Sequence, residues 1–208
     1  MNIIQDFLVV NQYSRPGTKM QPVRFVVVHY VGNPGSSAKN NRNYFNNLAT
    51  TKATYVSSHY VVGLDGEIIQ CIPENEIAYC QGSPYNSYSI SIEVCHPDST
   101  GKFSTVTEGA LVELVADILK RNNLTVDKVL RHYDCTGKAC PLYYVNNPSA
   151  WVAFKEAVGK KLTGKVETPV PSGKLYRVQL GAFSVKSNAD KLCAELKGKG
   201  YDAFVRED

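Results

Sequence analysis

Apolar residues change their spacing several times along the chain, and each change marks an element. Arg24 to Val31 is almost continuously apolar through Phe25, Val26, Val27 and Val28, the pattern of a strand buried on both faces near the middle of a sheet. Ser89 to Cys95 reads as another strand. Tyr55 to Leu64 and Glu67 to Ile72 flank Asp65-Gly66, a dipeptide that favours a two-residue turn, so this pair is predicted to form an antiparallel hairpin. Thr107 can cap a helix in which Leu111, Leu114, Val115 and Ile118 recur at helical spacing, and Asn122-Asn123 ends it. Ser149 can cap another, with Trp151, Phe154, Val158 and Leu162 along one stripe, and a shorter helix carries Tyr44, Phe45 and Leu48. Strands mixed with helices, one hairpin among them, predict an α/β domain built on a mixed central sheet flanked by helices.

The pattern lapses between Thr163 and Lys174, a stretch of Pro, Gly, Thr and Ser that reads as a linker. It separates a main domain, residues 1–162, from a small segment, residues 175–208. In that segment Tyr176 to Phe183 alternates as a strand should. Ser187 to Asp190 fits a capping box, and Ala189, Leu192, Cys193 and Leu196 form a helical stripe that Gly198 or Gly200 can stop. Tyr201 to Val205 would be a second strand. Chains below about 40 residues seldom bury an adequate core alone, so the segment is expected to pair with the same segment of a second chain, giving a homodimer. The alternative is that it packs on its own main domain or is loosely ordered.

Composition narrows the class. The chain has 208 residues, 43% hydrophobic and 20% charged, which excludes a disordered or collagen-like protein. No stretch approaches the roughly 20 apolar residues of a membrane span. The net charge of +4 arises from 23 basic residues spread along the chain, which argues against dedicated nucleic-acid binding. Met1-Asn2-Ile3-Ile4-Gln5-Asp6 has neither a basic n-region nor a long apolar h-region, so synthesis and folding in the cytoplasm without a signal peptide are expected. In that setting the six cysteines are expected as thiols or metal ligands and not as disulfides.

Three of the four histidines lie in or beside predicted strands: His29 ends a buried run, His59 lies in the hairpin, and His132 follows Lys128-Val129-Leu130-Arg131. A hydrolytic zinc site needs three protein ligands and one position for water. His29, His132 and Cys140 would supply them, because the loop after His132 returns a thiol at Cys140. Cys135, in the same loop, is the rival sulfur. Taken singly, either histidine reads more readily as a hydrogen-bonded core residue.

Together these residues carry a resemblance. Val28-His29-Tyr30, Ser57-Ser58-His59-Tyr60-Val61-Val62 with Asp65-Gly66, Ser91-Ile92-Glu93, Arg131-His132-Tyr133-Asp134 and Lys138-Ala139-Cys140-Pro141 resemble, in order, the zinc-dependent N-acetylmuramoyl-L-alanine amidases of the type-2 family. Phage endolysins and bacterial autolysins belong to it, and its fold is similar to that of peptidoglycan recognition proteins. The resemblance implies a Zn2+ cofactor on His29, His132 and Cys140, with Cys140 chosen over Cys135 because the Lys-Ala-Cys-Pro block is what matches. It implies hydrolysis of the amide between N-acetylmuramic acid and L-alanine in bacterial peptidoglycan, with Glu93 as general base and Lys138 as oxyanion stabiliser. Read alone, Glu93 could be an outward-facing strand carboxylate and Lys138 a solvated loop lysine.

His59, Cys80 and Asn86 fall at substrate-groove positions of the family. For His59 a structural role in the hairpin stands equally. Cys80 replaces the histidine common in relatives, and turn chemistry alone accounts for Asn86. Ser58 stands where phage members carry a catalytic tyrosine, which shifts the expected proton transfers onto Glu93. Residues 175–208 resemble half of a SPOR-type peptidoglycan-binding domain. The expectation is a lytic enzyme acting on the cell wall after release by a holin or by lysis. The alternatives are a non-catalytic peptidoglycan-binding protein and a cysteine-dependent hydrolase using Cys140 or Cys95.

Overall fold

The computed structural model describes residues 1–164, 179–201 and 203–206. The chain forms two compact units, Met1–Glu167 and Thr168–Asp208. In the first, strands β1 (Ile3–Gln5), β2 (Phe25–Tyr30), β3 (Tyr60–Val62), β4 (Ile68–Gln70), β5 (Ser89–Val94) and β6 (Val129–Arg131) form one sheet in the order β1-β4-β3-β5-β2-β6. Only β3 and β4 run antiparallel, and the remaining neighbours are parallel, so the sheet is mixed. The helices are α1 (Ala38–Thr51), α2 (Thr105–Arg121), α3 (His132–Thr136), α4 (Leu142–Asn146) and α5 (Pro148–Thr163).

The run of β-branched residues in β2 places that strand between β5 and β6, buried on both faces. Alternation then sorts its side chains. Val26 and Val28 join Ile90, Ile92 and Val94 of β5 in a core closed by Leu111, Leu114, Val115 and Ile118 of α2 and by Trp151, Phe154 and Val158 of α5. Each fully buried aliphatic side chain there contributes about 1.5–3 kcal/mol. Val61 and Ile69 face the opposite way, against Ala38 and Phe45 of α1. Val27 and His29 therefore point to the second face, where α1 packs on β3 and β4.

Local signals differ from the sequence expectation at three places. The hairpin is antiparallel as expected, but Gly63 pairs with Glu67 through a 2.8 Å hydrogen bond, so the turn contains Leu64, Asp65 and Gly66. Gly66 takes φ +80°, which explains the glycine. Helix α2 begins earlier than Thr107: Ser104 accepts the Thr107 N–H at 3.1 Å, while the Thr107 hydroxyl reaches the carbonyls of Gly63 and Leu64, both at 3.1 Å. The threonine thus ties the helix to the hairpin turn. Helix α5 is entered through Asn147, with Pro148 in its first turn and Ser149 already inside; proline is suited to that position because its missing N–H would have no partner there.

The second unit contains helix α6 (Lys186–Gly198), which starts from Val185, so Ser187 lies within the helix and does not cap it. The expected strands 176–183 and 201–205 are not formed among the described residues, where 179–183 and 203–205 hold no ladder. A strand requires a hydrogen-bonded neighbour, and none is supplied to these segments among the described residues. Residues 176–178 and 202, and residues 165–174 of the expected linker, lie outside the described residues.

Candidate metal centre and catalytic groups

The site forms where three parallel strands end together, the usual place for chemistry in an open α/β sheet. In the β2–β5 ladder His29 stands opposite Glu93. In the β2–β6 ladder Val28 is opposite Arg131, so the next residue, His132, arrives beside His29 with ring centroids 4.6 Å apart. His132 opens α3. Asp134 fixes that start by accepting the Arg131 N–H at 2.8 Å and holding its guanidinium at 2.7 Å. Gly137, at φ +79°, ends the helix and reverses the chain, and Tyr133 N–H donates to the Cys140 carbonyl at 2.9 Å. Cys140 Sγ consequently lies 3.9 Å from His29 Nδ1.

One ligand atom from each of His29, His132 and Cys140 lies within 4.8 Å of the other two, and all three residues are buried. Nδ1 of His132 is buried with no hydrogen-bond partner, an arrangement that costs about 1–3 kcal/mol if nothing binds there. Burial holds His29 well below the ordinary histidine range, reinforced by the nearby His132 ring. Burial and then the Lys138 charge bring His132 down to about 4. Both rings are neutral at pH 7, the form that ligates metal. Two imidazole nitrogens and one sulfur suit zinc, so the residues present fit the ion. A second possible group is His29, Cys80 and Glu93, and Cys135, half-buried within α3, is in neither of these groups found among the described residues.

Glu93 sits against this cluster. Its Oε2 is buried and unpartnered, while Oε1 accepts from the Cys80 thiol at 3.7 Å. Burial pushes its carboxyl up to about 8, opposed by the Cys80 hydrogen bond and by the positive charge of Lys138. Lys138 is exposed, yet its charge acts on Glu93, His132 and Cys140 alike. Burial pushes the Cys140 and Cys95 thiols up to about 12 each. A thiol so placed is a poor nucleophile at neutral pH, which weighs against the cysteine-hydrolase alternative.

The other expected groove residues have partners inside the protein. His59 is fully buried; its Nδ1 accepts the Ser91 N–H at 3.0 Å, which leaves Nε2–H to donate to the Glu76 carbonyl at 2.9 Å. Both ring nitrogens are satisfied by the fold, which favours the structural role for His59. Glu76 is itself anchored by a two-pronged contact with Arg15 at 2.7 and 2.8 Å. The Asn86 side-chain oxygen accepts the N–H groups of Cys80 and Gln81 at 3.2 and 3.0 Å, shaping the loop that carries Cys80 to Glu93. Sequence reasoning overlooked Gln81, a fully buried carboxamide in this loop. The signal available was its place beside Cys80, where the chain departs from the family.

Residues 19–142 match the family described as N-acetylmuramoyl-L-alanine amidase, and residues 149–207 match the SPOR domain. The chain belongs to the N-acetylmuramoyl-L-alanine amidase family. Among curated relatives it is 38% identical over 184 residues to the amidase CwlL of Bacillus licheniformis, covering 83% of this chain and 51% of CwlL. It is 35% identical to BlyA of Bacillus subtilis strain 168, covering 76% and 47%. The chain thus spans about half the length of these relatives. The solved catalytic domain of XlyA superposes with a TM-score of 0.66 at 30% identity, covering 76% of this chain and 100% of that one. The structure of PlyL gives 0.66 at 29% identity, covering 77% and 99%. The SPOR match begins within α5, whose Trp151, Phe154 and Val158 pack in the core of the first unit, so it starts well before the segment at 175 expected from the sequence.

Proposed function

We propose that the first unit hydrolyses the amide joining N-acetylmuramic acid to L-alanine in bacterial peptidoglycan, with zinc held by His29, His132 and Cys140. The convergence of those three donor atoms beside a buried carboxylate carries this reading. Bound zinc supplies a water of lowered pKa and a Lewis acid for the scissile carbonyl. Glu93 receives a proton from the attacking water at its unpartnered Oε2 and returns it to the leaving alanine nitrogen as the C–N bond breaks. Burial raises this carboxyl toward neutral pH, the range in which one group can both take and return a proton. The thiol of Cys80 holds the other oxygen and so fixes the direction of Oε2. Lys138 places positive charge beside the tetrahedral oxyanion. Mass analysis of digested peptidoglycan tests the bond: new L-alanine amino termini with intact muramic acid are expected, and reducing sugar ends would contradict the reading.

The second unit is proposed to bind the wall and to raise the enzyme's local concentration there. The SPOR match supports this, as do the exposed side chains of Leu180, Phe183, Tyr201 and Phe204. Those apolar residues also support pairing with a second chain. Sedimentation of the full chain at tens of micromolar is expected to show a dimer that a chain ending at Leu162 does not form. A monomeric full chain, or an equally dimeric truncated one, would refute the pairing.

A further inference from the structure

Gln81 is completely buried, an unusual place for a carboxamide. Its loop is held by the Asn86 contact to its own N–H, and its Nε2 points to the Tyr85 carbonyl at 3.5 Å. With the NH2 end directed to Tyr85, the oxygen end faces the interior, where Oε1 is buried without a hydrogen-bond partner. A second orphan is His29 Nε2, also buried and unpartnered. The Gln81 side chain lies beside the His29 ring as a hydrogen-bonding neighbour. The other nitrogen of the ring, Nδ1, is the one 3.9 Å from Cys140 Sγ.

We propose that Gln81 is a positioning residue for the metal centre: its carbonyl oxygen accepts a hydrogen bond from His29 Nε2–H and so holds the ring in the tautomer whose Nδ1 lone pair faces Cys140 and His132. This rests on the zinc reading given above. A ligating histidine gains basicity and a fixed ring plane from such a partner, and loss of the partner typically weakens metal binding by about 10–100-fold. The pairing also gives two buried polar atoms the partner each lacks. The fold uses the same logic at His59, where Nε2–H donates to a carbonyl, but there Nδ1 faces a backbone N–H and cannot take a metal.

The test uses the full chain and zinc competed against a chromophoric chelator. Gln81→Leu is expected to bind zinc about 10–100-fold more weakly, and Gln81→Glu, which keeps an acceptor oxygen, to recover most of that loss. Long-range nitrogen–proton correlation spectra of the wild-type chain, metal-free and zinc-loaded, are expected to show His29 protonated on Nε2 with a slowly exchanging proton. Equal zinc affinity for wild type and Gln81→Leu would overturn the proposal, as would a wild-type His29 carrying its proton on Nδ1. The spectrum decides even if the leucine variant does not fold. A wild-type chain that binds no zinc would instead overturn the metal reading on which the proposal rests.

Discussion

Glu93→Gln is expected to lower the rate of peptidoglycan hydrolysis by about 10²–10⁴-fold, the usual contribution of a positioned acid–base group. The full complement of bound zinc should be retained. The two readouts separate because Glu93 lies outside the set His29, His132 and Cys140. The substitution keeps the volume and removes only the capacity to carry a proton. Oε1 already has the Cys80 thiol as its partner, so the residue stays in place while Oε2, turned inward with nothing bound to it, loses its role. A reduction of less than tenfold would show that another group moves the proton. Loss of zinc from the variant would make Glu93 a ligand instead of a base.

The second large effect is on the metal. Cys140→Ser is expected to abolish activity and to weaken zinc binding by roughly 10³-fold. Losing one of three ligands forfeits on the order of a third of a binding free energy of about 10–16 kcal/mol. Serine is nearly isosteric but does not offer a soft anionic donor. The buried position gives water little access to substitute for the sulfur. His29→Ala and His132→Ala should behave alike, whereas Cys135→Ser should keep both zinc and activity, since Cys135 belongs to α3 and to neither ligand group. A chain in which Cys135→Ser loses the metal while Cys140→Ser retains it would reverse the assignment of the sulfur.

What could be read from the sequence was whatever rests on local pattern. The apolar run of Val26, Val27 and Val28 placed β2 inside the sheet, and the helical spacing of Leu111, Leu114, Val115 and Ile118 identified the face of α2 that meets it. The ordered blocks around His29, Glu93, His132 and Cys140 fall at one set of strand ends, because parallel neighbours must finish at the same edge. Roles that depend on tertiary partners were not legible. His59 looks the same in sequence whether it lines a groove or donates to Glu76, and only the register of β3 against β5 puts Ser91 beside it. Gln81 carries no motif of its own; its burial follows from Asn86 folding the loop back. The helix starts were misplaced by a few residues because Ser104 and Asn147 compete with Thr107 and Ser149 as caps, and local sequence does not rank such neighbours.

The most direct measurement is zinc X-ray absorption on the purified full-length chain. One sulfur at about 2.3 Å, two imidazole nitrogens at about 2.0–2.1 Å and one further light atom from solvent are expected. Two sulfurs, four protein donors leaving no place for water, or no stoichiometric zinc would each contradict the centre described here.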